Sequence, residues 1–473
     1  MPLILGTNSI KDTGYNVANS CRFNSGSSDY LNRTPDSAGN LRTMTFSFWM
    51  KRSKLTSDAQ RIFSIFNNSG ADQFWLRTAD SSNDYIDFFS QTSSTQTLRL
   101  VSSARLRDVS AWYHIVIAVD TTQGTNSNRI KMYINGVQQT SFSTTSYPSQ
   151  NTDLEWNKAI PNMLGAQQSN GTAEFIDMYL AEVCFIDGQQ LAPTSFGEFD
   201  EDSGIWKPID VSGLTFGTNG FYLDFENSSA LGNDANGSNN FTVNNLTAID
   251  QSTDTCTNNS CVINSLDNHF YNATLSEGNL KQTANASNYS FGTSTFGVSQ
   301  GKWVVEIKIE SGSTVRNVMG ITDKVSTGTT NELGNSGANA WQYSSGGNIY
   351  NNGSDIGGSY ASFTTNDIIG IYLDLDNNKL YFSKNGTVQN SGTGISITAP
   401  SSTTNGVYFF AFGDYGASDD SVNNVNFGSP AFAISSGNTD GEYGNFEYTT
   451  TITGDSASKT FKALNTKNLA EYG

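Results

Sequence analysis

Apolar and polar residues alternate with a period of two along much of the chain, and the alternating runs stop at Gly, Asn, Asp and Ser. This is the pattern of strands with one buried and one solvated face. Met44-Thr45-Phe46-Ser47-Phe48-Trp49-Met50 alternates cleanly, and so does Trp112-Tyr113-His114-Ile115-Val116-Ile117-Ala118-Val119. Arg129 to Ile134 runs into Asn135-Gly136, a strong hairpin signal because both turn residues tolerate positive φ. Glu174 to Ile186 reads as a further strand. From Gly204 the chain turns Asn-, Ser- and Asp-rich, with one firm strand at Gly220 to Phe225. Alternation resumes at Lys302 to Ile309, at Ile368 to Leu375, at Lys379 to Lys384 before Asn385-Gly386, and at Val407 to Phe412. No segment carries a sustained helical stripe, so the pattern predicts an all-β chain.

At 473 residues the chain is too long for one ordinary sandwich. The runs divide it into an N-terminal arm (1–14), a first sandwich (15–197) and a polar connector with one or two strands (198–261), which is expected to wrap on the sandwiches. A second sandwich (262–430) and a polar tail (431–473) follow. The abundance of Gly (44) over Pro (8) suits many short strands joined by turns. A formal net charge of -18 repels phosphates, which argues against nucleic acid and anionic lipid as partners. No run approaches the ~18 apolar residues of a membrane span, so no membrane insertion is expected. Met1 to Gly6 lacks the basic and apolar parts of a secretory signal, so synthesis in a cytoplasm is expected. That setting makes Cys21 and Cys184 buried thiols on adjacent strands, although a disulfide is the alternative reading. Cys256 and Cys261 enclose a short loop that a local bridge could close. With only His114 and His269 available, and neither beside a cysteine motif, zinc is not expected.

Two stretches resemble known families. Arg22-Phe23 with Ser28-Asp29-Tyr30-Leu31, Phe46-Ser47-Phe48-Trp49, Trp112-Tyr113-His114-Ile115 and Met132-Tyr133-Ile134-Asn135-Gly136 together are similar to a LamG, or concanavalin A-like, domain. In such a sandwich Trp49, Trp112 and Tyr133 can fill the core. Gly301-Lys302-Trp303 with Glu306, Met319-Gly320-Ile321, Asp367-Ile368-Ile369-Gly370, Leu373-Asp374-Leu375, Phe382-Ser383-Lys384-Asn385-Gly386 and Asn426-Phe427-Gly428 recur in the order of a SPRY domain. The implied fold is two tandem antiparallel jelly-roll-type β-sandwiches, LamG-like and then SPRY-like. The pairing, the Asn-rich connector and the tail Phe461 to Leu469 resemble virion surface, fibre-like proteins of marine tailed bacteriophages.

A glycosidase needs two carboxylates converging on one sugar bond. The β-glucanases of the concanavalin A-like superfamily carry a tight Glu-x-Asp-x-(x)-Glu strand motif. Here Glu174, Asp177 and Glu182 have the wrong spacing, because Glu174 and Asp177 would point to opposite faces of a strand. A Ser-His-Asp arrangement has only His114 or His269 to draw on, and His114 sits inside an alternating strand as a structural histidine would. No phosphate-binding loop is present. The chain is therefore expected not to be an enzyme. The LamG resemblance implies calcium at the sandwich rim, with Asp29, Asp120 and Asp177 as candidate ligands. Asp374, Asp376 and Asn377 are better explained as a hairpin turn.

The binding reading rests on aromatics in polar loops. Trp341, Tyr343, Tyr350 and Tyr360 fall in a Ser/Gly/Asn-rich stretch between SPRY strands, with Asp414 and Tyr415 later and Trp156 in a long polar loop of the first domain. Rings flanked by Asn and Ser suit sugar stacking with hydroxyl hydrogen bonds, or a protein partner. In SPRY domains such loops form the partner-binding face. For Trp341, Tyr343 and Trp156 the alternative is packing beneath the loop, while Phe74 and Trp75 are expected in the core. These resemblances imply a virion protein, assembled in the host cytoplasm among other virion proteins. The first role implied is a tail fibre or tail-associated receptor-binding component contacting host glycan or surface protein. A capsid-bound head fibre or decoration protein is the alternative, and a polysaccharide-degrading enzyme ranks behind both. A homo-oligomer is expected, since virion appendages are usually symmetric.

Overall fold

The computed structural model describes residues 14–473 apart from 57, 67–72, 79–83, 169–171, 271–272, 285–289, 312–315, 325–332, 336, 417–420 and 436–440. All of the arm expected over 1–14 except Gly14 therefore lies outside the described residues. The chain forms two compact units that divide between Thr257 and Asn258. Both are antiparallel β-sandwiches of the jelly-roll type expected from the sequence. No helix among the described residues is long and apolar enough to cross a membrane.

The first unit packs two eight-stranded sheets face to face. One runs in the order Val137–Gln138, Ile130–Ile134, Trp112–Asp120, Thr43–Arg52, Met178–Asp187, Ser20–Phe23 and Gln251–Ser252, with Phe221–Leu223 added on Met178–Asp187. The other runs Phe142–Ser146, Thr95–Ser102, Ile86–Thr92, Gln73–Thr78, Gln60–Phe66, Asn162–Leu164, Tyr30–Arg33 and Thr242–Asn244. Strand alternation decides what faces inward. Met44, Phe46, Phe48 and Met50 enter the main core beside Phe63, Phe74, Phe88 and Phe185. The Asn135-Gly136 turn has φ of 47° and 77°, as a type I′ hairpin requires, and a Cβ on Gly136 would lie 2.4 Å from the Trp206 ring.

The other face of Thr43–Arg52 and its neighbours is also buried. Trp49 and Trp112 join Val17, Tyr179 and Trp206 there, and Tyr133 packs on a cluster of Val116, Ile186, Phe196, Val211 and Phe216. These rings therefore lie on the outer face of the sheet, not between the sheets as the sequence suggested. What covers them is the stretch after Asp187, including much of the polar 198–261 segment. It contributes five short strands, Gly197–Phe199, Trp206–Pro208, Phe221–Leu223, Thr242–Asn244 and Gln251–Ser252, and three of these pair with the sandwich. Phe74 is in the core, but Trp75, one residue along, has to face the other way. It stacks on Phe89 at 3.8 Å, with the Arg61 guanidinium 4.0 Å over its ring.

Buried ion pairs fasten this cover. Lys51 Nζ lies 2.7 Å from Asp254 Oδ2, both side chains being 1% exposed, and Trp112 Nε1 donates to Asp254 Oδ1 at 3.0 Å. Arg22 pairs with Asp250 at 3.2 Å. Cys21 and Cys184 are buried on adjacent strands, and none of the four cysteines forms a disulfide, the Cys256–Cys261 loop included.

The second unit packs a seven-stranded sheet (Ile263–Phe270, Ser290–Ser294, Phe409–Asp414, Asn317–Thr322, Ala340–Ser344, Ile349–Asn351, Ser354–Asp355) on a nine-stranded one built around Lys302–Ser311, Ile368–Asp374 and Lys379–Lys384. Ile368–Asp374 is buried along its whole length, so here too the outer face needs cover. The tail provides it. Phe446, Ile452 and Phe461 pack on Val304, Tyr372 and Tyr381, and Lys462–Ala463 pairs in parallel with Lys302–Ser311. The buried Glu306 carboxylate accepts from the backbone N–H groups of Glu447 and Tyr448, both at 2.8 Å, and so ties the tail down.

Removing Asp254 breaks its buried ion pair with Lys51, and losing one partner of such a pair typically costs about 3–5 kcal/mol. Asp254→Ala is expected to lower the first unit's calorimetric transition in the full chain, and adding Lys51→Met should restore much of the loss. Phe461→Ala, which opens a cavity under the tail, should lower the second unit's transition by a similar ~3–5 kcal/mol. An unmoved transition in either case would show that the covering segment is not part of the cooperative unit.

Candidate functional site

In the hairpin of Ala340–Ser344 with Ile349–Asn351, Trp341 and Tyr343 share one face of the strand, and Gln342 and Ser344 share the other. The inward pair enters the core. Trp341 meets Tyr408 edge-on at 5.9 Å, while Tyr343 packs on Phe363 and Phe382 and donates its hydroxyl to the Ala361 carbonyl. The outward pair lines a cleft of about 150 Å³ together with Gly346, Asn348, Tyr350 and Tyr415. Tyr350 stands opposite Gln342 in register, and the Tyr415 backbone N–H donates to the Arg316 carbonyl at 3.1 Å. Asn348 Nδ2 donates to Asp355 Oδ2 at 2.7 Å, and Gln342 Oε1 accepts from the Gly334 N–H at 2.7 Å, so the polar walls are held in place. The arrangement offers two half-buried phenol rings and fixed amide and hydroxyl groups, with room for one sugar ring or one side chain.

The structure thus brings together Tyr350 and Tyr415 and separates the other candidates. Tyr360 is half-buried against Tyr343 and Phe382. Asp414 is fully buried, accepting from the Gly416 N–H at 2.6 Å and the Ser421 hydroxyl at 2.8 Å. Trp156 lies at the centre of the first core with Phe46, Phe63, Phe74, Phe88 and Phe185 around it. The expectation of a loop-displayed ligand face is therefore corrected for Trp156, Trp341, Tyr343 and Asp414. Their rings and carboxylate fill interior positions that a polar flanking sequence concealed.

The three calcium candidates do not form one site. Asp177 accepts from the Ser25 N–H at 2.9 Å and its hydroxyl at 2.7 Å, and Asp29 accepts from the Asn24 N–H at 3.0 Å. Asp120 is spent on Thr122 and Gln123. Asp120 pairs with Thr43 and Met178 with Arg52, so the length of one ten-residue strand, roughly 30 Å, separates Asp120 from Asp177. Among the described residues no three His, Cys, Asp or Glu side chains cluster as metal ligands.

Glu174, Asp177, Glu182 and His114 are each engaged separately. The strand begins at Met178, so Glu174 and Asp177 precede it rather than alternating along it. Glu174 pairs with Arg61, while Glu182, at a bulge with φ 51°, receives the Tyr222 hydroxyl at 2.8 Å and the Tyr15 hydroxyl at 3.2 Å. His114 Nδ1 accepts from Trp206 Nε1 at 3.0 Å, which leaves Nε2 to donate to the Ser47 hydroxyl at 2.9 Å. Burial pushes His114 down to about 3, so it is a neutral, packed imidazole. His269 lies in Ile263–Phe270, with its side chain outside the described residues.

A second cleft was not legible in the sequence. Arg33, Thr34, Asp36 and Ser37 face Thr218, Asn219, Ser238, Asn239, Asn240 and Thr242 across about 430 Å³ of the first unit. Its far wall comes from the stretch read as a connector. The only available signal was the density of Asn and Ser there, which turns explain equally well.

Residues 25–189 match the family described as Laminin_G_3, the concanavalin A-like lectin/glucanases superfamily, and residues 301–413 match the SPRY domain family. The chain therefore carries a concanavalin A-like domain followed by a SPRY domain. These are lectin-like folds, and they suggest a binding or adhesion module. No curated protein sequence matches the chain. Similar solved structures include the SPRY domain of human HERC1 (15% identity, 34% of this chain and 96% of that one, TM-score 0.28). A SAP-like pentraxin from Limulus polyphemus aligns at 15% identity over 38% of this chain and 80% of that one, TM-score 0.28. Domains LG4-5 of the mouse laminin alpha1 chain align at 11% identity over 88% and 90%, TM-score 0.30.

Buried titratable groups set the pH dependence of stability. Burial raises Glu182 and Glu306 to about 7. A carboxyl raised in the folded state stabilises fully below its unfolded value, and that contribution is lost as pH rises through about 7. His114, lowered to about 3, acts in the opposite direction, and its contribution is lost as pH falls below about 6.5. The first unit should therefore be most stable near pH 5–6. Its Tm should fall between pH 6 and pH 8, and Glu182→Gln should flatten that alkaline limb. An unchanged limb in the variant would remove Glu182 as its source.

Proposed function

We propose that the chain is a virion protein displayed on the outside of a tailed bacteriophage, a tail fibre or tail-associated receptor-binding component that contacts host glycan or surface protein. The observation that carries this reading is the cleft of the SPRY unit, where Tyr350 and Tyr415 stand half-buried beside fixed Ser344 and Asn348. Aromatic faces with adjacent amide and hydroxyl groups meet the needs of a sugar ring or of an aromatic or polar side chain. Two binding-fold domains in one chain and a strongly negative net charge, which keeps crowded copies soluble, agree with display at high copy number. The resemblance of the domain pairing, the Asn-rich connector and the tail to fibre-like proteins of marine phages supports the virion setting. A closed homo-oligomer would multiply weak contacts into avidity.

Locating the protein on the particle by gold-labelled antibody tests the setting. Label on the tail supports the receptor-binding reading, while label over the head overturns it in favour of a decoration protein. Tyr350→Ala combined with Tyr415→Ala should slow adsorption of particles to host cells at least tenfold while leaving the unfolding transitions in place. Wild-type adsorption by that variant would remove the cleft from the contact.

A further inference from the structure

The larger cleft of the first unit is built from segments far apart in sequence, and one wall, 218–242, lies outside the residues that match the concanavalin A-like family. Its side chains are hydroxyls, amides, one guanidinium and one carboxylate, with no apolar residue among them. Ordinary small-molecule pockets are mostly apolar with a few polar anchors. A cleft of about 430 Å³ without apolar walls offers little to a lipid or an aromatic ligand. It offers a dense set of donors and acceptors to a molecule that is itself covered in hydroxyls.

The walls are rigid. Asn219 donates from Nδ2 to the Ser37 carbonyl and to Asn157 Oδ1, both at 2.9 Å, and its N–H donates to Asp187 Oδ2 at 3.1 Å. Asn239 donates to the Thr218 and Gly220 carbonyls at 3.0 and 2.7 Å and accepts from Arg33 Nη2 at 2.6 Å. Arg33 Nη1 donates to the Asn219 carbonyl at 2.9 Å, so one side chain spans the two walls. With these groups already ordered, a ligand loses little affinity to immobilising them. Thr34, Ser238, Asn240 and Thr242 remain exposed at the mouth.

Charge and donor chemistry narrow the ligand further. Arg33 is the single cation of the lining, and Asp36 in the lining and the buried Asp234 behind it both act on it, so the cleft holds no uncompensated positive charge for an anion. A divalent ion would find one carboxylate, fewer than hard-cation sites normally supply. We infer that this cleft is a second ligand site, one that binds neutral saccharide units without calcium. The inference rests on the reading of the chain as a binding module but not on the SPRY cleft.

The test is saturation-transfer NMR and calorimetry on the full chain with methyl α-glucoside, methyl β-galactoside and N-acetylglucosamine, and with N-acetylneuraminic acid as the charged comparison. The expected result is binding of at least one neutral sugar, unchanged by EDTA and weakened at least tenfold by Thr34→Trp or Ser238→Trp. Both substitutions fill the mouth from exposed positions and should leave the fold intact, with Tm as the control. The inference is overturned if no neutral sugar binds, if only the charged sugar binds, if EDTA abolishes binding, or if both Trp variants bind as wild type. Binding that survives those variants but disappears in Tyr350→Ala would move the ligand to the SPRY cleft, sinking this inference while leaving the proposed function standing.

Discussion

A sheet with large apolar side chains on both faces cannot end at the surface of a two-layer sandwich, and both units of this protein are organised by that constraint. Thr43–Arg52 and Ile368–Asp374 are each buried almost throughout, so each sheet needs a third layer. In the first unit the layer is the Asn-rich stretch after Asp187, and in the second it is the C-terminal tail. Burial of rings such as Trp49, Trp206, Tyr372 and Phe461 supplies the driving force. Buried polar contacts fix the register: Asp254 reaches Lys51 and Trp112, and Glu306 receives two tail N–H groups. Such contacts contribute position more than net stability, because desolvation offsets much of their attraction.

The covering layers also decide where ligands can sit. In the first unit the extra segment, while covering the sheet, brings Asn219 and Asn239 opposite Arg33 and so creates the polar cleft. In the second unit the tail takes one sheet face, and the small cleft opens at the hairpin of the other sheet, around Tyr350 and Tyr415. Among the described residues, the groups weighed for catalysis have structural partners. His114 is held between two tryptophan rings, and Glu174, Asp177 and Glu182 each have separate partners.

Much of the fold could be read from the chain alone, because strand alternation and turn residues are local signals. The runs at Met44 to Met50, Trp112 to Val119 and Lys302 to Ile309 are strands, and the Asn-Gly pairs that follow Ile134 and Lys384 turn as expected, with φ of 47° and 77° at 135–136 and 47° and 78° at 385–386. The burial of Cys21 and Cys184 on adjacent strands followed from their place in strand-like runs. The motif order was enough to place a concanavalin A-like domain before a SPRY domain.

What the chain alone left open was the direction and the neighbours of each side chain. Trp341 and Tyr350 sit in equally polar surroundings in sequence, yet one residue of phase along the hairpin sends Trp341 to the core and turns Tyr350, which pairs with Gln342, to the other face. Trp156 reads as a loop aromatic and becomes the centre of a cluster of phenylalanines. Asp120 and Asp177 look alike as rim carboxylates until a strand's length is found between them. Local pattern determines which residues alternate, because the period of a strand is intrinsic to its backbone. Only the packed sheets determine which face is inside, what covers the other, and which distant asparagines meet Arg33 across a cleft, because those depend on contacts between residues that the chain holds hundreds of positions apart.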